Sequence, residues 1–165
     1  MRRQFDLPED DVETLEALGL SWETLVLGGA RWVIVSGFPV PEGYTHTSAD
    51  VAVQISPGYP TAQLDMAYFN PPLARRDGQP IGALSSLSLD GKVWQRWSRH
   101  RTSTNPWRPG VDDLGSHLRS VEDWLALARW SGSNDRKVSN WSRCRPRCRG
   151  WSASAPPRTA RLSRA

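Results

Sequence analysis

The sequence predicts an α+β domain followed by a basic segment outside it. Three observations carry this. Apolar residues recur at helical spacing near the N-terminus and again over residues 111–128. Short runs rich in Val, Ile, Leu and Trp, separated by turn dipeptides, lie between them. After Trp130 the periodicity stops and Ser, Arg, Pro, Ala and Gly take over. Helices at both ends of a strand meander imply a sandwich with the helices against one face of the sheet.

The first helix is expected over residues 6–19. Pro8 suits the first helical position, because its missing N–H has no partner there in any case. Glu9, Asp10 and Asp11 sit where the helix dipole favours negative charge. Val12, Leu15 and Leu18 form its apolar face, and Gly19 stops it. A first strand follows over 22–27 and a second over 31–35, joined by Gly28-Gly29. Pro39 and Pro41 keep the next stretch out of a sheet interior.

Residues 50–56 alternate, with Val51, Val53 and Ile55 on one face and Ala52 and Gln54 on the other, as a half-buried strand requires. Pro57-Gly58-Tyr59-Pro60 is a turn. A fourth strand is expected over 63–69, with Leu64, Met66 and Tyr68 on one face. Residues 71–80 are polar, charged and bounded by proline. Residues 84–89 and 92–97 pair across Asp90-Gly91, a strong hairpin dipeptide. A second helix runs from 111 to 129, burying the stripe Val111, Leu114, Leu118, Val121, Leu125 and Ala128.

Charge divides the chain in the same way. Residues 131–165 hold nine Lys or Arg and one acid, a net of +8, whereas residues 1–130 hold 12 basic and 16 acidic residues, a net of −4. Nucleic-acid binding therefore rests on the tail alone. The expected domains are 1–130, folded, and 131–165, a basic disordered tail with too few apolar residues to offset chain entropy. No apolar run is long enough for a membrane helix, and the first residues lack the apolar stretch of a secretory signal. The expected location is the cytoplasm.

The element order and several motifs resemble ubiquitin-conjugating enzymes. Gly58-Tyr59-Pro60 matches the turn before their last meander strand, Asn70-Pro71 falls near their His-Pro-Asn position, and Trp107-Arg108-Pro109 matches their Trp-x-Pro before a helix. The run from Trp32 through Asp65-Met66, Tyr68-Phe69, Trp94 to Arg101 and Asn105 to Gly110 is similar to prokaryotic family E of that superfamily, over about residues 1–128. The resemblance implies a UBC-like sandwich with an N-terminal helix, an antiparallel four-strand meander and a C-terminal helix. It also implies a place beside a ubiquitin-like modifier, an activating enzyme and a JAB-type metallopeptidase.

The departures bear directly on chemistry. The enzymes carry their modifier as a thioester, which needs a cysteine thiolate. Gly91-Lys92-Val93-Trp94 imitates the context of that cysteine and puts Trp94 in its place, while counting on from Asn70-Pro71 reaches residues 78–81. Neither register holds a cysteine, and the only two in the chain are Cys144 and Cys148 in the tail. Asn70 lacks the preceding His-Pro of the enzymes, so it is a weakly matched catalytic candidate.

His100 is the leading ionisable candidate, since Arg99 and Arg101 beside it favour the neutral imidazole that a general base needs. Its competing reading is a surface histidine that holds a loop. His46 reads as a turn residue and His117 as a packing residue. Three scattered histidines make no zinc signature, and Cys144 and Cys148 with three residues between them are a poor metal site. No metal and no cofactor are expected. Ser85, Ser86 and Ser88 lack the Gly-x-Ser-x-Gly elbow and read as strand residues.

Trp94, Trp97 and Trp107, with Arg96, Arg99, Arg101 and Arg108, are expected to form a partner-binding block, because Trp and Arg dominate binding hot spots. The alternative is that the tryptophans fill the core. Trp94 and Trp97 are three apart and point to opposite faces of a strand, which allows one core and one exposed ring. Three functions stay open: a binding or adaptor module that forms no thioester, an acyl-transfer enzyme using His100 with an unassigned nucleophile, and nucleic-acid binding through the tail.

Overall fold

The structure is a computed structural model that describes residues 1–128. The boundary expected near Trp130, the basic segment beyond it, and Cys144 and Cys148 lie outside the described residues. Helix α1 spans Glu9–Ala17, with Pro8 as its N-cap and Glu9, Asp10 and Asp11 in the first turn. Six strands follow: β1 (Trp22–Leu27), β2 (Ala30–Pro39), β3 (Ser48–Ile55), β4 (Ala67–Asn70), β5 (Leu84–Leu89) and β6 (Lys92–Trp97). Helix α2 spans Leu114–Ala128.

The strands form one antiparallel sheet in the order β1-β2-β3-β4-β6-β5. The sheet thus has two strands more than the expected four-strand meander. The hairpin across Asp90-Gly91 joins the meander because β6 pairs with β4, leaving β5 at the far edge. Asp90 (φ 51°) and Gly91 (φ 71°) supply the two left-handed residues of its tight turn.

Two strand ends differ from expectation for local reasons. Strand β2 continues to Pro39 because the register shifts between Val35 and Phe38, where Gly37 (φ 71°) donates its N–H to Asp50. That bulge lets pairing resume, and Pro39 falls on the strand's last residue, where a missing donor costs little. Strand β4 starts only at Ala67 because Met66 is left-handed (φ 62°). Leu64 is thereby released from the face of Met66 and Tyr68 and joins the helix-side core.

Both faces of the sheet are buried. The helix side packs Val33, Val35, Val51, Val53, Phe69 and Trp97 against Leu15 of α1 and Leu114, Leu118, Val121 and Leu125 of α2. The other face packs Leu25, Trp32, Ile34, Ala52, Tyr68, Leu89 and Trp94 together. Strand β3 is therefore not half-buried: Ala52 is as inaccessible as Val51 and Val53. The two ends of the sheet approach each other here. Arg2 bonds both Glu23 on β1 (2.8 Å) and Asp90 in the β5–β6 turn (2.6 Å). The N-terminal segment also lies along β1, with Gln4 donating to the Thr24 carbonyl (3.1 Å) and Thr24 donating to that of Arg2 (3.0 Å).

The helices meet at a close contact and a polar knot. A Cβ on Gly115 would stand 2.7 Å from the Thr14 methyl, so the glycine allows α2 to touch α1. Beside it, Asp11 of α1 is buried; one of its carboxylate oxygens accepts from the Leu114 N–H (3.0 Å) and the other from the Tyr59 hydroxyl (2.5 Å). The Leu114 N–H also reaches the Tyr59 hydroxyl oxygen (2.9 Å). No helix among the described residues is long and apolar enough to cross a membrane.

Burial raises the Asp11 carboxyl above its usual range despite the bonds that favour its anion. A raised carboxyl contributes stability that is present below its ordinary pKa and lost as the pH rises through the folded value. Tyr59→Phe deletes the hydroxyl that bonds the anion. At pH 7 the variant is expected to lose about 2 kcal/mol, the scale of a hydrogen bond to a charged group. Urea unfolding checks this, and the deficit is expected to shrink in acid, where Asp11 is neutral.

Candidate functional site

The candidate residues gather where the segment 98–110 folds back over the Tyr59-Pro60 turn. Trp107 packs on Tyr59 with ring centroids 6.3 Å apart, and its indole N–H donates to the Pro60 carbonyl (3.1 Å). Arg101 stands 5.2 Å over the Trp107 ring. Arg108 is tied to Asp112, which accepts from its backbone N–H (2.8 Å) and its guanidinium (3.1 Å). These bonds hold Asp112 below the usual carboxylate range, the side-chain bond from Arg108 being the main cause.

His100 lies on the same segment and is 57 % exposed. Its Nδ1 is 2.6 Å from Asp65 Oδ2. Asp65 precedes the left-handed Met66, whose N–H donates to the Arg99 carbonyl (3.2 Å), so the two segments are joined by backbone as well as side chain. A carboxylate on one ring nitrogen fixes which edge of the imidazole faces outward. Asp65 is the site residue that sequence reasoning missed. It is 35 positions from His100, and only the return of the chain after β6 brings them together.

His117 is a different kind of histidine. It is buried on α2, its Nε2 lies 2.8 Å from the Met66 carbonyl, and its ring meets Trp124 edge-on at 5.6 Å. Burial, the largest cause, pushes its pKa down to about 4. The carbonyl accepts, so Nε2 carries the proton and Nδ1 is an acceptor. Nδ1, Asp65 Oδ1, and Arg101 Nε and Nη2 are buried without a hydrogen-bond partner among the described residues, and the charges of both Arg101 and Asp65 act on this imidazole. The packing role expected for His117 fits this placement.

The tryptophan block divides. Trp94 and Trp97 do point to opposite faces, but neither is exposed, at 1 % and 0 %. Trp94 lies in the core away from the helices and donates to the Leu89 carbonyl (3.1 Å); Trp97 lies in the helix-side core against Phe69. The expectation of one exposed ring is corrected, because the sheet is covered on both sides. Neither ring is available to a partner in the folded domain.

Arg96 and Arg99 are half-buried. Arg96 donates to the Ser85 hydroxyl (2.7 Å). Arg99 donates to the Gly82 carbonyl (3.0 Å) and stands 5.3 Å over Trp97, and burial lowers its pKa from the usual arginine value. The Asn70 amide donates to the Val93 carbonyl (2.8 Å) on β6. Among the described residues no group of His, Cys, Asp and Glu is arranged to hold a metal ion.

A meander capped by N- and C-terminal helices, with a Tyr-Pro turn locked to the second helix and no thiol in residues 1–128, defines a cysteine-free α+β sandwich of the ubiquitin-conjugating type. Residues 7–128 match the family model for prokaryotic E2 family E, and the chain belongs to that family. No curated protein and no solved structure matches the chain.

The depressed His117 has a measurable consequence. A histidine held neutral contributes stability that is present above its unfolded pKa, near 6.5, and lost as the pH falls toward the folded value of about 4. The loss by pH 4 is expected to reach about 3 kcal/mol. His117→Gln keeps a polar group at this position and removes the titration. Urea unfolding from pH 7 to 4 is expected to give a flatter profile for the variant than for the parent.

Proposed function

We propose that the domain is a protein-binding member of a prokaryotic ubiquitin-like modification system that carries no thioester of its own. The observation that carries this reading is the absence of any cysteine from residues 1–128 of a domain that belongs to a conjugating-enzyme family. A modifier cannot be held as a thioester without a thiol. The partners in view are the modifier, its activating enzyme and a JAB-type metallopeptidase. The binding surface centres on the half-buried Trp107 and the exposed Arg108, with the half-buried Arg101 over the Trp107 ring.

Two measurements test it. The full chain incubated with modifier, activating enzyme and ATP is expected to form no adduct that a thiol reductant removes. Such an adduct on Cys144 or Cys148 would overturn the reading. Trp107→Ala is expected to weaken binding of the modifier or the activating enzyme by about 2 kcal/mol or more, the scale of a hot spot. Loss of binding only in proportion to a loss of Tm returns Trp107 to a structural role.

One observation favours a second reading. The Asp65–His100 contact of 2.6 Å is the arrangement that orients a general base, which suits acyl transfer to a hydroxyl or amine supplied by a partner. On this reading a modifier adduct stable to thiols forms on the partner and is lost in both His100→Ala and Asp65→Ala. Formation of that adduct at the parental rate by His100→Ala excludes it.

A further inference from the structure

The two edges of the sheet are treated differently. Outside β1, the segment around Arg2 and Gln4 lies along the strand and bonds Thr24 through its backbone. Outside β5 there is no such cover among the described residues, where β5 ends the strand order and pairs only with β6. Its sequence Leu-Ser-Ser-Leu-Ser-Leu carries none of the usual protections of an edge, neither proline, nor charge, nor a bulge in its register.

The register says which backbone groups point outward. The two-residue turn at Asp90-Gly91 makes Leu89↔Lys92 a hydrogen-bonded pair, and antiparallel ladders alternate. Leu87↔Trp94 and Ser85↔Arg96 are then bonded pairs as well. Ser86 and Ser88 turn their N–H and C=O away from β6, and both residues are exposed. No hydrogen bond occupies these groups among the described residues.

Side chains beside the edge are equally specific. Leu87 and Leu89 line an apolar concavity of about 570 Å³ whose far wall is Leu27, Ala30 and Trp32 of the β1–β2 hairpin. Arg96 lies on the same face, bonded to the Ser85 hydroxyl, and no carboxylate among the described residues is within ion-pair distance of it. A strand added to β5 places alternate side chains on this face. Those opposite Leu89 and Leu87 enter the concavity, and the one opposite Ser85 approaches Arg96.

We infer that β5 is a docking edge for an extended segment of a partner protein, which adds as a seventh, antiparallel strand with the pattern apolar-x-apolar-x-acidic. Backbone bonds to Ser86 and Ser88 supply the attachment, and the concavity and Arg96 supply the selectivity. The inference extends the binding-module reading to a second surface and does not depend on Trp107.

The probe is a fluorescein-labelled peptide, Thr-Val-Thr-Val-Thr-Glu-Thr, titrated with the full chain and read by anisotropy. Ser86→Pro removes only an outward N–H, so the β5–β6 ladder and the Tm are expected to survive while binding falls at least tenfold. The same peptide N-methylated at the two threonines that flank its second valine keeps its charge. It is expected to bind the parent at least tenfold more weakly, which keeps the test independent of how the variant folds. Replacing the glutamate by glutamine is expected to weaken binding about threefold or more. Equal binding of the two isoelectric peptides would mean attraction to the basic segment 131–165 and overturn the inference. So would no saturable binding at millimolar chain. A parent dimer that Ser86→Pro converts to monomer would also overturn it, assigning the edge to a second copy of the chain. Loss of peptide binding with the Trp107 surface still active fails this inference and leaves the function above standing.

Discussion

The Asp11 carboxylate, set between the Tyr59 hydroxyl and the Leu114 N–H, is the contact on which the rest of the arrangement depends. It joins three parts of the chain that also share the helix-side core: the first helix, the turn after β3 and the start of the last helix. A helix N-terminus has backbone N–H groups without internal partners, and a carboxylate meets them with both charge and an acceptor. Here the carboxylate comes from another helix, 103 residues away. The cap therefore also fixes how α2 crosses α1, next to the Gly115–Thr14 contact. Burial opposes the charge, so the knot holds only while all its bonds are made.

That knot carries the candidate surface with it. Tyr59 is held by Asp11 below and packs on Trp107 above, and the Pro60 carbonyl receives the Trp107 indole. The segment 98–110 contains no helix or strand of its own, yet it is anchored to a buried polar centre through one tyrosine. The other end of the segment is tied through Met66, which bonds Arg99 by its N–H and His117 by its carbonyl. The site is a loop between two clamps, which is how an irregular segment presents side chains in a fixed geometry.

Much of this was legible in the sequence where the signal is local. The Asp90-Gly91 dipeptide placed β5 and β6 at their observed limits, and the Gly28-Gly29 pair placed β1. The apolar stripe from Leu114 to Leu125 marked α2, though the helix begins at Leu114 and not at Val111, which is exposed. What stayed hidden depends on contacts far apart in the chain. Alternation in β3 implied one solvated face, but Ala52 is small and reads the same whether covered or not. The cover comes from Trp32, Tyr68 and Trp94 and from Arg2 drawing the sheet's ends together. The Asp65–His100 pair was hidden for the same reason. The block of tryptophans was legible as a block, yet composition alone does not separate a hot spot from a core.

Folding two indoles into opposite sides of one short strand has a further consequence for the function. Trp94 stands where one register puts the conjugating enzymes' cysteine, and here the position is filled by a buried ring that donates to Leu89. A side chain of that size, packed on Tyr68 and Leu89, serves stability and leaves no room for an acyl carrier there. The exposed His100 lies on the segment after β6, 2.6 Å from Asp65, which precedes β4. Because Trp107 is packed against Tyr59, any partner that grips it in its present position also favours the closed Asp11 knot, and binding must stabilise the whole domain by linkage. Strand β5 lies outside that knot and, among the described residues, pairs only with β6.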